Sequence, residues 1–298
     1  MAELLYGAPV ADALSAKLKK KTDELRAKGV VPTLAIIRLG ENAGDLAYER
    51  GAMARCEATG VAVKNIILPE ESTQQELISI IEEINADEKI HGCLLLRPLP
   101  PHIDERTVCE KLRHEKDVDC ITISSLGAVF TESGKGYPPC TAEACIEILN
   151  HYGIELEGKL CAVVGRSLVA GKPVSMMLQA ENATVVMCHS KTENLREICK
   201  KADVIILAIG RAGFVDESYL SEGQVIIDIG INRMEDGKIC GDADFEKKHK
   251  CCPLDDVPDL LNKLLPCRVT GGLHHIVNKN SDDEYFLTVF NNTGIVRS

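Results

Sequence analysis

The strongest constraint on this chain is a series of short apolar runs, closed by glycine or proline and separated by stretches of helical periodicity. Thr33-Leu-Ala-Ile-Ile-Arg-Leu39 stands between Pro32 and Gly40, a strand-like run follows at Val61–Leu68, and Gly92-Cys-Leu-Leu-Leu96 leads into the rigid turn Pro98-Leu-Pro-Pro101. Residues 9–28, 44–59 and 72–86 read as helices; Gly29 and Gly60 stop the first two, and Ser72 with Gln75 offers a capping box to the third. Residues 103–112 read as a further helix, residues 124–139 as a loop rich in Ser, Gly and Pro, and Thr141 as the cap of a helix through Asn150. A second series then places strands at 160–164, 184–188, 204–209 and 224–229, with helices opening near Lys172 and Glu193. Apolar strands joined through helices make βαβ units and a parallel sheet, so the expected fold class is α/β, with a Rossmann-type second half.

Composition narrows the partners. With 34 basic against 45 acidic residues among 298, the net charge is −11, which argues against general binding to nucleic acid or an anionic membrane while leaving room for a local anion site. No apolar run approaches the roughly 18 residues of a membrane span. The opening MAELLYGAPVADAL does not read as a signal peptide, so a cytoplasmic location is expected. The 13 cysteines are scattered, several inside apolar runs (Cys93, Cys161, Cys188), and read as free thiols packed in a reducing compartment. Cys251-Cys252, with His249 and Cys240 nearby, lacks the usual ligand spacing, and no metal is expected.

The run Leu160–Val164 enters Gly165-Arg-Ser-Leu-Val-Ala-Gly-Lys-Pro173. Its glycines are six residues apart, unlike G-x-G-x-x-G, yet a glycine directly after a buried strand lets the chain turn tightly beside a ligand, and amides opening the next helix can meet phosphate. Gly165 and Gly171 fit those roles, and Pro173 suits a first helical turn. An ordinary strand-to-helix turn would look the same. After the next strand, where an NAD site usually carries Asp or Glu, stand His189-Ser190-Lys191-Thr192. With Arg166, these residues suit a 2′-phosphate, hence NADP rather than NAD.

Taken with Ala183–Thr192 (ATVVMCHSKT), this turn resembles a signature of the methylenetetrahydrofolate dehydrogenase/cyclohydrolase family of the FolD type. Further matches are Gly92–Asp104 (GCLLLRPLPPHID), Lys116–Asp119 (KDVD), Pro138–Ala144 (PPCTAEA), Ala202–Val215 (ADVIILAIGRAGFV) and Val225–Asn232 (VIIDIGIN), in the family's order over most of the chain. The resemblance implies an N-terminal three-layer α/β substrate domain, residues 1–140 joined by 274–298, and a C-terminal Rossmann-type NAD(P)-binding domain, residues 141–273. It implies a homodimer, and oxidation of 5,10-methylenetetrahydrofolate to the 5,10-methenyl form by NADP, followed in the usual member by hydrolysis to 10-formyltetrahydrofolate. It carries cofactor contacts onto the turn (Gly165, Arg166, Ser167, Gly171, Pro173), onto His189, Ser190 and Lys191, and onto the later strand ends at Ala208, Gly210, Gly230, Ile231 and Asn232. It carries folate contacts onto Tyr48, Leu96, Arg97, Pro98, Asp119, Gly271 and Gly272, with Tyr48 and Asp119 as the catalytic pair. Asp119 is placed on the 2-amino-pyrimidinone edge of the pterin, where a carboxylate accepts two hydrogen bonds. Asp228 is expected to brace a loop.

The departures from the family pattern are chemical. The family has a Lys one helical turn after the Tyr; here Ala52 stands four residues after Tyr48. The family's Gln in V-Q-L-P-L-P is Leu96, the Gly after KDVD is Cys120, and the late glycine loop reads Val269-Thr-Gly-Gly-Leu-His-His-Ile-Val277. Adding water to the methenyl cation needs proton transfer, which a Lys of lowered pKa beside a Tyr can perform and an alanine cannot. Arg50 and Arg55 lie elsewhere along the helix, and an arginine stays protonated, so neither they nor Arg97 replaces the base. Hydride transfer needs only donor and acceptor held close. The sequence therefore reads as a dehydrogenase with weak or lost hydrolase activity. Its alternatives are a fully bifunctional enzyme with a substitute base and a non-catalytic relative that binds folate or NADP.

Overall fold

A computed structural model describes residues 5–234, 239–244, 273–276 and 287–290. The chain divides into two compact units, one of Ala11–Cys140 with Gly272–Thr293, the other of Met1–Val10, Thr141–Gly271 and Gly294–Ser298. In chain order the first unit carries α1 (Gly7–Ala27, its first residues belonging to the second unit), β1 (Thr33–Leu39), α2 (Ala43–Thr59), β2 (Ala62–Leu68), α3 (Gln74–Ala86), β3 (Gly92–Leu95), α4 (Glu105–Cys109) and α5 (Ile123–Thr131). Its sheet is parallel, in the order β2-β1-β3.

Strand alternation sorts the core into two layers around this sheet. Leu34, Ile36, Leu94 and Leu96 pack with Leu18 and Leu25 of α1 and Ala52 and Cys56 of α2. Ala35, Ile37, Leu39, Cys93 and Leu95 pack with Leu77, Ile78, Ile81 and Ile84 of α3 and with Val108 and Cys109 of α4. A period of two along each strand dictates this split, and each such Leu or Ile contributes about 1.5–3 kcal/mol by leaving water. Between β1 and α2 lies a buried ion pair: Arg38 Nε donates to Glu49 Oε2 at 2.5 Å, Asn65 Nδ2 to Glu49 Oε1 at 2.7 Å, and Arg38 Nη1 to the Gly40 carbonyl.

Several local expectations shift. The capping box belongs to Thr73 and Glu76, not Ser72 and Gln75: Thr73 Oγ1 accepts the Glu76 amide at 3.2 Å and Glu76 Oε2 the Thr73 amide at 2.7 Å, while Ser72 is buried. The stretch read as loop contains α5, which Thr122 caps by accepting the Ser125 amide at 3.1 Å; its serines and glycine hid the helical pattern. The helix expected over 103–112 shortens to α4, capped by Asp104.

The second unit holds α6 (Cys140–His151), β4 (Leu160–Val164), α7 (Gly171–Ala180), β5 (Thr184–Cys188), α8 (Leu195–Lys201), β6 (Val204–Leu207), a 3-10 turn at Glu217–Tyr219 and β7 (Val225–Asp228). Thr141 thus lies inside α6 instead of capping it. The sheet is parallel in the order β5-β4-β6-β7, so the chain reverses direction across the sheet between β4 and β6, where ligands of such folds bind. Two short antiparallel pairs follow: β8 (Asn232–Arg233) with β9 (Ile239–Cys240), and β10 (Leu273–Ile276) with β11 (Leu287–Phe290). His274 and His275 lie on β10, opposite Val289 and Thr288. Gly271, Gly272, His249, Cys251 and Cys252 lie outside the described residues. No helix among the described residues is long and apolar enough to cross a membrane.

Candidate functional site

At the carboxyl ends of β4 and β6 the backbone closes too tightly for side chains. A Cβ on Gly165 would lie 2.3 Å from the Ala208 carbonyl oxygen, and one on Gly171 would lie 2.3 Å from that of Gly165. The Gly165 amide donates to Cys188 O at 3.0 Å and the Ala208 amide to Val164 O at 2.8 Å, so the ends of β5, β4 and β6 are tied side by side. Ser167 Oγ accepts the Ala170 amide at 3.2 Å, closing the turn on itself. Helix α7 then starts with no side chain capping its N-terminus, and Pro173 sits buried in its first turn. The Lys172 amide is held by Ser167 O at 3.0 Å and Pro173 carries no amide proton, so the cradle offers a dinucleotide phosphate the Gly171 amide at the start of α7, beside exposed Arg166 and Ser167. After β5 the His189 amide donates to Thr192 Oγ1 at 2.8 Å and the Lys191 amide to His189 Nδ1 at 3.1 Å, and this turn leaves Ser190 and Lys191 exposed.

Two carboxylates brace the remaining strand ends. Asp242, fully buried, accepts the amides of Ile209 at 2.6 Å, Gly210 at 3.1 Å and Arg211 at 2.7 Å, and Asn232 Nδ2 at 3.0 Å. Asp228 accepts the amides of Gly230 at 2.9 Å, Asp242 at 3.1 Å and Ala243 at 2.9 Å. Burial pushes the Asp228 carboxyl up from its ordinary range, with its amide donors working against that shift. Gly210, Gly230, Ile231 and Asn232 thus form two backbone loops held open by carboxylates. Asp242 was not legible in the sequence, because nothing in Cys-Gly-Asp-Ala-Asp distinguishes it from Asp244.

In the first unit, Tyr48 is half-buried against the apolar cluster of Ala52, Cys56, Leu94, Leu96 and Val118. Ala52 is 0% and Leu96 7% exposed. Position 52, where the family resemblance leads one to expect a Lys, is therefore lined with hydrocarbon, and Leu96 is part of that lining. Arg55 turns away to α1, where Nη1 donates to Ser15 Oγ at 2.9 Å, and Arg50 is exposed.

Arg97, next along the strand direction from Leu96, faces the opposite layer. Its Nη1 donates to Glu105 Oε1 at 3.1 Å, its Nη2 lies 3.9 Å from Asp119 Oδ2, and its buried Nε makes no hydrogen bond among the described residues. Burial pulls the guanidinium down, but Asp119, Cys109 and Glu105 outweigh it and hold Arg97 above its ordinary value. Pro98 follows, exposed. The two aspartates of Lys116–Asp119 divide the work. Asp117 is buried and accepts the Ile121 and Thr122 amides at 2.9 Å each, whereas Asp119 keeps its carboxylate partly open, 26% exposed. Cys120, where the family has Gly, adopts a left-handed φ of 55°. Among the described residues, no group of three or more His, Cys, Asp and Glu side chains is placed to hold a metal ion.

Two family models match the chain: the catalytic domain of tetrahydrofolate dehydrogenase/cyclohydrolase over residues 5–119, and the NAD(P)-binding domain of the same family over residues 139–255. A protein named bifunctional protein FolD from Carboxydothermus hydrogenoformans is 46% identical over 275 residues, 92% of each chain. Among solved structures, a bifunctional FolD methylenetetrahydrofolate dehydrogenase/cyclohydrolase from Campylobacter jejuni is 36% identical with a TM-score of 0.79, covering 83% of this chain and 87% of the other. A Trypanosoma brucei methylenetetrahydrofolate dehydrogenase-cyclohydrolase complexed with NADP and an inhibitor is 31% identical with a TM-score of 0.74, covering 82% of this chain and 86% of the other.

Proposed function

The chain belongs to the tetrahydrofolate dehydrogenase/cyclohydrolase family, and from that premise we propose that it oxidises 5,10-methylenetetrahydrofolate to 5,10-methenyltetrahydrofolate with NADP⁺ while hydrolysing the product weakly or not at all. The observation that carries this reading is a contrast between two local sites. The nucleotide cradle of Gly165, Gly171 and the α7 N-terminus is built, whereas the hydrolase position is Ala52 inside a hydrocarbon cluster with Leu96.

Bound NADP⁺ supplies the hydride acceptor. Gly165 through Pro173 hold its phosphates, and Arg166 with Ser190 and Lys191 select its 2′-phosphate. Asp119 anchors the pterin and Tyr48 packs along it. Water addition to the methenyl product has no proton relay at position 52, because an alanine neither takes nor gives a proton. The domain limits 1–140 with 274–298 and 141–273, a homodimer and a cytoplasmic setting go with this reading, as do contacts from Gly271, Gly272 and the His274-His275 pair on β10.

A second reading has a specific observation behind it: relatives such as that of Carboxydothermus hydrogenoformans are named bifunctional. It requires another group to stand in for the Lys, and a pH profile of hydrolysis with a new apparent pKa would favour it. The primary reading is tested by adding methylenetetrahydrofolate to purified protein with NADP⁺ or NAD⁺. Reduction with NADP⁺ preferred is expected; cofactor binding without reduction would refute it and favour a non-catalytic relative.

A further inference from the structure

Arg97 stands between two carboxylates that are anchored independently. On one side, Glu105 opens α4 and bonds Arg97 Nη1 through Oε1 at 3.1 Å, while its Oε2 accepts the Leu99 amide at 3.0 Å. On the other side, the Cys93 amide donates to Lys116 O at 2.7 Å, running residues 116–118 alongside β3, and Asp117 fixes the following turn through the Ile121 and Thr122 amides. That turn presents Asp119, whose Oδ2 lies 3.9 Å from Arg97 Nη2. All three side chains are partly open, at 30% for Arg97, 26% for Asp119 and 37% for Glu105, so the cluster borders solvent where a ligand can reach it.

We infer that Arg97 is a positioning residue for folate: by spanning Glu105 and Asp119 it aims the Asp119 carboxylate and keeps it ionised for the amino-pyrimidinone edge of the pterin. This rests on the folate reading above. A carboxylate accepts hydrogen bonds from both an exocyclic amine and a ring N–H only when it is ionised and both oxygens are placed. A guanidinium at this separation favours the ionised form and stays charged at every working pH. The family's V-Q-L-P-L-P segment has Leu at this position, so the device belongs to this chain. The bond to Glu105 turns Arg97 toward α4, whereas Leu96 packs with Ala52, which separates Arg97 from the lost hydrolase group.

The test uses Arg97→Leu and Arg97→Lys in the full chain, with kcat and KM for methylenetetrahydrofolate and for NADP⁺ measured across the acid range. Arg97→Leu is expected to raise the folate KM by about tenfold and leave kcat and the NADP⁺ KM within about threefold. It should also move the acid limb of kcat/KM for folate upward, and Arg97→Lys should recover part of each change. An active parent whose folate KM and acid limb are unmoved in Arg97→Leu would overturn the inference alone. So would parallel losses in kcat and both KM values in both variants, which mark structural damage. An inactive parent would overturn the folate reading and this inference with it.

Discussion

Ala52 on α2 and Leu96, just past the end of β3, fill one apolar cluster, with Tyr48 packed against it. Because they share that cluster, we predict that the two positions are energetically coupled: a polar group introduced at either one alone would be buried without a partner. A lone lysine at position 52 would put an ammonium against Leu96 and Leu94. We predict that Ala52→Lys destabilises the protein by about 3 kcal/mol, that its lysine titrates well below its ordinary value, and that it restores little hydrolysis. Adding Leu96→Gln supplies a partner, so the double variant should be more stable than additivity allows, by about 1 kcal/mol or more in a urea-denaturation cycle. Additive losses would show that the two positions are independent.

The cofactor end makes a separate prediction. Arg166 is exposed beside the cradle and carries the cation expected for a 2′-phosphate. Arg166→Ala should weaken NADP⁺ binding by about 1.5–3 kcal/mol, tenfold or more, and NAD⁺ binding by much less. Calorimetric titration with both cofactors measures this, and equal losses would reject the assignment.

Gly171 has no room for a methyl group, since its Cβ would overlap the Gly165 carbonyl. Gly171→Ala should lower the melting temperature and abolish NADP⁺ stabilisation of the fold, whereas Gly153→Ala, with nothing within 4 Å but a left-handed φ of 65°, should lower the melting temperature and leave the NADP⁺-induced rise intact. Thermal melts with and without NADP⁺ separate the two.

These predictions also mark what was readable in the residues. The alternation of apolar runs and helices placed both parallel sheets, and the strand–Gly165 junction placed the tight turn between β4 and α7, because period and glycine placement are local properties. The capping box slipped by one residue, since Ser72 and Thr73 are equivalent in sequence and only burial of Ser72 distinguishes them. Helix α5 was hidden because its polar and small residues mimic a loop. The Asp242 brace and the Glu105–Arg97–Asp119 cluster were hidden for a different reason: each joins segments distant in sequence, and only the fold brings them together.

The thiols give a pH prediction. Burial pushes Cys56, Cys93, Cys109, Cys145 and Cys199 up to about 12 from an ordinary 9.0. Their folded forms hold the proton that the unfolded chain releases, so their contribution to stability is complete below about pH 9 and is lost as pH rises toward about 12. Urea denaturation across that window should show stability falling with pH, and alkylation of the native protein at neutral pH should be slow at these positions. Stability that is flat to strong alkali would contradict this.

The central claim is that the oxidation survives and the hydrolysis is weak or lost. It is tested most directly by starting the forward reaction with methylenetetrahydrofolate and NADP⁺ and following reduced cofactor and methenyl product at separate wavelengths. The account predicts that the two rise one for one and that the methenyl signal then decays at, or only slightly above, the rate seen without protein. Methenyl product that lags behind NADPH throughout, or that disappears about as fast as it forms as protein is added, would contradict it.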